Sequence, residues 1–311
     1  MIYAKTAISI KEQIAQLRAR GLSITDVTQA EHFLTHISYY RLEGYWWPMQ
    51  ADKITHVFKP NSRFDDVIAL YNFDRELRLL IFDVIERIEI GLRTKLVYHL
   101  SHELGPWWFE NPAHFKNPID HTDNLISIDR ELRQSKEIFI KQHYVKYHAD
   151  TRRPPAWKTL EVVSFGTVSK LYANLLPAIK SKDRIADELG MVNHTYLPSW
   201  LQAIAQIRNI CAHHGRLWNK NLPGRPKLLS KPPAPWLTNV PPVSQHHMLY
   251  IHICCMKYLL DVISPAHHFK PRLADLFIKY PSARYELCWP HSSSITIPLF
   301  LTYFLIIRIE P

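Results

Sequence analysis

The longest uninterrupted pattern in this sequence runs from Phe64 to His102 and is helical. The stretch contains no proline, and its apolar residues recur at spacings of three and four, which is the periodicity of an amphipathic helix. We predict one or two long helices, with a wide apolar stripe made of Leu70, Phe73, Leu77, Leu80, Ile81, Val84, Ile88 and Leu92. The opposite face is charged and carries Asp74, Arg75, Glu76, Arg78, Glu86, Arg87 and Glu89.

Shorter helical patterns lie on both sides of this stretch. Ser9 and Glu12 form a capping box ahead of the first predicted helix, and Gly21 ends it. The aromatic-dense segment 37–48 is interpreted as core packing and domain docking, and seven prolines between residues 220 and 242 predict an extended connection. Further helices are predicted over residues 25–36, 124–147, 164–175, 182–189, 199–214 and 245–263.

Glycine is scarce, with eight residues in a chain of 311, whereas average usage is roughly 7%. The eight are scattered, so neither a G-x-G-x-x-G loop nor a Walker A loop is present. This excludes the Rossmann and P-loop classes of nucleotide-binding protein, and the few hairpin dipeptides argue against an all-β fold. We predict an all-α fold with a small helical, aromatic-rich extension at 1–60, a helical domain at 61–265 and a divergent tail at 266–311.

The formal net charge of +10 suggests an acidic partner, with nucleic acid as the first choice. The four cysteines include no C-x-x-C pair, and Lys5 and Lys11 interrupt the weakly apolar start. We therefore expect a protein of the reduced cytoplasm. The apolar segment 295–309 is shorter than the roughly 20 residues of a membrane-spanning helix and contains Pro298. A buried or aggregation-prone tail is favoured over membrane contact.

The histidine pairs at 246–247 and 267–268, and His252, lack the sequence context of a zinc site. We expect them to be solvated or to serve packing, and we predict no metal and no cofactor. No cysteine has a setting typical of a nucleophile.

The segment 206–219 holds the polar residues of greatest chemical interest. On a helix, Trp200, Ala203, Ile204, Ile207 and His214 form one stripe that is expected to face the core. A second, polar face carries Gln202, Gln206, Asn209, His213 and Arg216, a set of groups suited to holding a phosphate and moving a proton near neutral pH. Arg208 lies about 140° from His213 on an ideal helix, so its long side chain or a second protomer is needed to complete a site. Taken alone, the pattern is more typical of a polar surface.

Residues 208–213, RNICAH, form an R-x4-H motif with a polar residue directly after the arginine. This motif resembles the signature of HEPN-domain ribonucleases, and the string RNICAHHGRLWN at 208–219 is similar to that of the Abi family, the AbiD/AbiF-like abortive-infection proteins of bacteria. The segments ISYYRLEGYWWPM at 37–49 and LYNFDRELRLLIFDVIERIEIGLRTKL at 70–96 resemble the family's N-terminal signature and its long first HEPN helix. The resemblance covers residues from about 10 to 265. After Pro281 the chain departs from the family pattern, which puts the packing of the C-terminus in doubt.

The resemblance implies a HEPN-type helical bundle and a metal-independent endoribonuclease of phage defence. It assigns proton transfer during attack by the RNA 2′-hydroxyl to His213, stabilisation of the phosphorane to Arg208, and an orienting role to Asn209. It also implies RNA as substrate and a homodimer with a composite site, and a small RNA or a protein antitoxin stays open as a further partner.

We place further supporting or phosphate-binding roles on the neighbouring polar side chains His214, Arg216 and Gln206. Glu89 and Arg93, four residues apart on one helix, are candidates for half-buried polar partners near the site. The second arginine–histidine spacing, Arg93 to His99, is interpreted as coincidence.

Two other functions stay open at this point. One is a non-catalytic RNA- or protein-binding module on the same scaffold, regulating a defence or toxin–antitoxin system. The presence of both Arg208 and His213 argues against it, because a degenerate copy is expected to lose one of the two. The other, weaker alternative is a membrane sensor anchored by the apolar tail.

Overall fold

The computed structural model describes residues 2, 6–234, 236–237 and 242–284. Within these ranges the chain forms twelve α-helices and no strand, which confirms the all-α prediction. The apolar segment 295–309 and Cys288 lie outside the described residues. The helices are α1 Ile10–Ala19, α2 Val27–Ile37, α3 Tyr39–Trp46, α4 Phe64–Leu104, α5 Pro118–Gln134, α6 Ile138–Lys146, α7 Ala156–Val162, α8 Phe165–Asn174, α9 Lys180–Glu188, α10 Leu197–Ala212, α11 Leu249–Ile263 and α12 Phe269–Lys279.

The described residues divide into two compact units. Residues up to Leu79 and from Lys270 onward belong to the first unit, and Leu80–Phe269 forms the second. All candidate site residues lie in the second unit. The division at residues 60 and 265 that the sequence suggested stays a prediction.

In the first unit, the predicted capping box at the start of α1 is present. The Ser9 amide donates to Glu12 Oε2 at 2.6 Å, and the Glu12 amide donates to Ser9 Oγ at 3.3 Å. Gly21 has a φ of +95°, the left-handed conformation in which glycine follows a helix end. Local sequence rules therefore set both ends of this helix.

The aromatic segment ends in a buried polar network of the first unit. Tyr45 and Trp46 are buried on α3, as the packing interpretation requires, whereas Tyr40 is exposed. The Tyr45 hydroxyl donates to Asp74 Oδ2 at 2.6 Å, and Arg78 forms an ion pair with the same carboxylate. Asp74 and Arg78, predicted on the charged face of the long helix, are in fact buried, because they and Tyr45 satisfy one another.

The predicted long helix is the single 41-residue helix α4. All eight residues of its predicted apolar stripe are buried, so the periodicity identified the buried face correctly. Gly91 lies on this helix within the second unit, where a Cβ in its place would stand 2.8 Å from Ile263 Cγ2 of α11.

Three segments of the chain differ from the predicted helices. The helix expected over 124–147 is broken into α5 and α6, since Ser135 and Glu137 are extended between them. Helix α7, which was not predicted, follows Pro155 at its N-cap, a position that proline tolerates. Helix α12 lies inside the predicted tail and holds Pro271 in its first turn, where the missing amide costs no hydrogen bond.

The described part of the proline-rich connection contains no helix or strand, and it is hydrogen-bonded to α10. Ser199 Oγ accepts from the Lys227 amide at 3.0 Å, and Trp200 Nε1 donates to the Lys227 carbonyl at 2.7 Å. The connection therefore forms part of the packing around the candidate helix. Among the described residues, no helix combines the length and the apolarity that crossing a bilayer requires.

Candidate functional site

Helix α10 ends two residues earlier than the sequence predicted, and the R-x4-H motif lies across this end. His213 is the C-cap, and His214 has a φ of 56°. The His214 amide donates to the Cys211 carbonyl at 3.1 Å and the Gly215 amide to the Ile210 carbonyl at 2.8 Å. These two bonds form a Schellman motif, with histidine in the left-handed position that glycine usually takes.

This helix end corrects two predictions. His214 was expected to face the core with the apolar stripe, but it is exposed, because the chain leaves the helix after Ala212. The other stripe residues, Trp200, Ala203, Ile204 and Ile207, are buried as predicted. Arg216 was placed on the polar helix face, but it lies beyond the helix and is half-buried.

Arg208 lies in the last turn of α10 with its guanidinium unpaired. The residue is half-buried, and its Nε is inaccessible to solvent without a hydrogen-bond partner. No carboxylate among the described residues pairs with it. A buried N–H without an acceptor is costly, so this position is suited to an anion that supplies the missing acceptor.

His213 and Asn209 are both exposed on the same helix end. The His213 amide donates to the Asn209 carbonyl at 3.0 Å, which fixes the backbone of the histidine. Among the described residues, the imidazole itself has no hydrogen-bond or ion-pair partner. Its ring nitrogens are therefore available to exchange a proton with a bound molecule.

The predicted polar face of α10 lines a cleft of about 920 Å³ between α5, α8 and α10. Of the predicted polar face, Gln202, Gln206 and Asn209 line the cleft, and Pro198, Ser199 and Ala205 of the same helix line it as well. Asn209 thus belongs both to the R-x4-H motif and to the cleft, and it joins the two along one helix face.

Glu89 and Arg93 form the predicted ion pair on α4, and both side chains are largely buried. Arg93 also donates to the carbonyl of Leu160 on α7. No hydrogen bond among the described residues connects this pair to Arg208 or His213. Their recorded partners give them a packing role, and a supporting role at the site stays a prediction.

The Arg93–His99 spacing does not form a second site of this kind. Arg93 is engaged by Glu89 and Leu160, whereas His99 Nε2 lies 2.9 Å from Glu188 Oε1. The two side chains have separate partners, which supports the interpretation of this spacing as coincidence.

His252, Cys254 and Cys255 are packed in the interior. His252 is buried with Nδ1 2.8 Å from the Met248 carbonyl and Nε2 3.0 Å from the Gly224 carbonyl, and burial lowers its pKa. Burial raises the pKa of Cys254 to about 12 and that of Cys255 well above its usual value, which disfavours a thiolate. No cluster of three potential metal ligands occurs in the described ranges.

The end of α10 lies within the part of the chain that matches a known protein family. The sequence model of one family, described as Abi-like protein, matches residues 32–219. This match covers more than half of the chain. The chain belongs to the Abi-like family. Neither the curated proteins nor the solved structures gave a significant match.

The Abi-like match includes both halves of the candidate site. It contains α4 through α10 and ends at Asn219, so Arg208, His213 and the three helices around the cleft all lie within it. The proline-rich connection, α11 and α12 follow the matched region. Membership of the Abi-like family points to abortive infection, which is a form of phage defence.

The cleft residues contributed by α5 and α8 were not predicted from the sequence. Asn124 is one of them: it lines the cleft and is only 3% exposed. It stands four residues before Ile128, which is itself followed four residues later by Leu132, and all three are buried. An amide at helical spacing with buried apolar residues was the available signal.

Proposed function

We propose that this member of the Abi-like family is an endoribonuclease with a HEPN-type site made of Arg208, Asn209 and His213. The observation that carries the proposal is the half-buried guanidinium of Arg208 five residues before the exposed imidazole of His213, both without a partner among the described residues. One group is suited to a phosphate and the other to a proton. Together with family membership, this favours RNA cleavage in phage defence.

The chemistry uses the RNA's own 2′-hydroxyl as nucleophile. An imidazole removes the 2′-hydroxyl proton as the oxygen forms a bond to the adjacent phosphorus, and Arg208 stabilises the charge that develops on the phosphorane oxygens. The bond from phosphorus to the 5′-oxygen then breaks, and that oxygen takes a proton from an imidazolium. The products are a 2′,3′-cyclic phosphate and a free 5′-hydroxyl.

Two protonation states are needed at once, since one group acts as base and another as acid. Each chain offers one R-x4-H motif. We therefore propose a homodimer in which the His213 side chains of both protomers face the same phosphate. Asn209 orients the substrate from the same helix face. His214 and Arg216 flank Gly215 in the sequence, and we assign them contacts to the RNA phosphates.

The rival function is a binding module that holds RNA or a protein without turnover. It requires an anion at Arg208 but gives His213 no task. Both functions predict weaker RNA binding after Arg208→Ala, whereas only the enzyme predicts that His213→Ala abolishes product formation.

The deciding experiment measures cleavage of end-labelled RNA in EDTA by the wild type, Arg208→Ala and His213→Ala. We expect the wild type to cut and to leave a 2′,3′-cyclic phosphate, and each variant to lose about 100-fold or more of the rate. Arg133→Ala and His148→Ala serve as matched controls, because both side chains are exposed outside the motif. Equal cutting by all five proteins, or loss of cutting on chelation, contradicts the proposed mechanism.

A further inference from the structure

The cleft beside α10 contains two amide atoms that are buried and have no hydrogen-bond partner. They are Nδ2 of Asn124 on α5 and Oε1 of Gln206 on α10. Asn124 is 3% exposed, and its amide nitrogen is inaccessible to solvent. A buried polar atom left unpaired costs about 1–3 kcal/mol, and native structures keep few of them. These two atoms are suited to partners that a ligand brings into the cleft.

The positions of these amides are set by the packing around them. Gly224 approaches so closely that a Cβ there would stand 2.7 Å from Gln206 Oε1, so the glycine leaves the space that this amide occupies. Asn124 is held on the buried side of α5 with Ile128 and Leu132. Both residues line the cleft, so its wall contains one buried donor and one buried acceptor, on two different helices, that a ligand can satisfy.

Three lysines line the same cleft: Lys116, Lys170 and Lys227. All three are exposed, and none pairs with a carboxylate among the described residues. Asp120 and Asp123 also line the cleft, so its formal charge is +1. Such an edge attracts an anion, while the two carboxylates offer acceptors for hydroxyl or amino groups.

The lining residues include no aromatic side chain. Sequence-independent binding of single strands depends largely on bases stacking on aromatic rings, and that mode is missing from this cleft. An amide donor and an amide acceptor instead match the edge of a nucleobase, since every base presents donors and acceptors side by side. The chemistry thus favours recognition of a base edge over stacking.

We propose that this cleft binds one nucleotide of the RNA next to the cleaved phosphate and reads its base through Asn124 and Gln206. The lysines contact the flanking phosphates, and Asn209 connects the cleft to the R-x4-H motif. The assignment of the ligand to the RNA substrate rests on the proposed nuclease function. The cleft then makes cutting depend on the base at one position.

The test uses ribonucleoside 5′-monophosphates, which carry no phosphodiester bond to cut. AMP, GMP, CMP and UMP are titrated into the wild-type protein and followed by ligand-observed NMR, with ribose 5-phosphate as the probe that lacks a base. We expect a preference for one base and at least about 10-fold weaker binding of ribose 5-phosphate. Equal affinity for ribose 5-phosphate and the nucleotides, or no binding of any nucleotide, overturns the proposal.

Variants separate the base contact from the phosphate contact. Gln206→Leu and Asn124→Leu are expected to reduce the base preference about 3- to 10-fold. Lys170→Gln is expected to weaken the binding of all four nucleotides alike. Lys180→Gln, an exposed lysine outside the lining, is the matched control. If Asn124→Leu does not fold, Lys170→Gln and Gln206→Leu still decide the question. Unchanged binding in both of them refutes the site.

Titration and RNA cutting fail independently, so the two proposals are distinguishable. A protein that cuts RNA but binds no mononucleotide retains the nuclease function and loses the base-reading cleft. A protein that binds one base selectively, with Arg208→Ala and His213→Ala cutting RNA as well as the wild type, retains the cleft and loses the nuclease mechanism.

Discussion

Gly224 lies so close to Ala203 that a Cβ on the glycine would stand 3.0 Å from the Ala203 Cα, a tighter contact than side chains normally make. The same Cβ would stand 2.7 Å from Gln206 Oε1. The proline-rich connection therefore packs against the face of α10 that carries Gln206. Because the contact involves the helix backbone, a side-chain rotation cannot relieve it.

Gly224→Ala is therefore expected to destabilise the protein by about 1–3 kcal/mol through overpacking. Denaturant-induced unfolding measures the change. Gly166→Ala is the matched control: its Cβ would meet nothing nearer than 3.8 Å, and alanine in a helix is favoured over glycine by up to about 1 kcal/mol. A Gly224→Ala protein as stable as the Gly166→Ala protein contradicts the close approach.

Asp74→Ala is expected to cost about 3–5 kcal/mol of unfolding free energy, because it leaves the Arg78 charge and the Tyr45 hydroxyl buried without their carboxylate. Asp65→Ala removes the carboxylate of an exposed ion pair with Arg63 and is expected to cost about 0.5 kcal/mol or less. Equal losses in a chemical denaturation series would falsify the view that Asp74 is the centre of a buried network.

Lys182 links stability to alkaline pH. The residue is buried with Nζ donating to the Leu175 carbonyl at 2.8 Å, and burial, with a smaller contribution from Lys116, lowers its pKa to about 8 from its usual 10.5. Between about pH 8 and pH 10.5, Lys182 keeps its proton in the unfolded chain but has released it in the folded chain. Stability therefore rises with pH in this window, since the unfolded state binds more protons there.

The prediction for Lys182 is a difference in slope. From pH 8 to pH 10, the unfolding free energy of the wild type should rise relative to that of Lys182→Met, by about 1 kcal/mol per pH unit at most. Lys180→Met, at an exposed lysine of the same helix, should run parallel to the wild type. Parallel curves for all three proteins mean that Lys182 keeps its ordinary pKa in the folded state.

Periodic features of the fold were predictable from the sequence, whereas interruptions and long-range pairs were not. Helix α4 and its buried stripe follow from apolar spacing alone. The break between α5 and α6 occurs at Ser135 and Glu137, where no proline or glycine marks it. The burial of Asp74 depends on Tyr45, which is 29 residues away.

The candidate site shows the same division. The motif and the polar face of α10 are local patterns on one helix, and the sequence identified Gln206, Asn209 and His213 on it. The cleft requires residues of α5 and α8 as well, and no spacing rule connects separate helices. The end of α10 at Ala212 was not predicted, because His214 occupies the left-handed position in which glycine usually marks a helix end.

Arg208→Lys is expected to lower the rate of RNA cleavage by about 100-fold or more, even though the charge is retained. A guanidinium presents a planar pair of donors to phosphate oxygens, whereas an ammonium is a point charge on a different stem. Single-turnover cleavage of labelled RNA measures the effect, and Arg133→Lys, at an exposed arginine of α5, should cut at the wild-type rate. Full activity in Arg208→Lys shows that only the positive charge matters.

A composite site predicts that an inactive chain interferes with an active one. When the wild type and a tagged His213→Ala chain are co-expressed at rising ratios, mixed dimers contain one His213 where acid and base catalysis need two. RNA cleavage per wild-type chain should therefore fall as the share of His213→Ala rises, and isolated mixed dimers should be nearly inactive. Mixed dimers of the wild type with His148→Ala, an exposed histidine outside the motif, should cut RNA at the wild-type rate. If cleavage stays proportional to the number of wild-type chains, or the active protein is a monomer, each protomer carries its own complete site and the second proton carrier must be sought within the same chain.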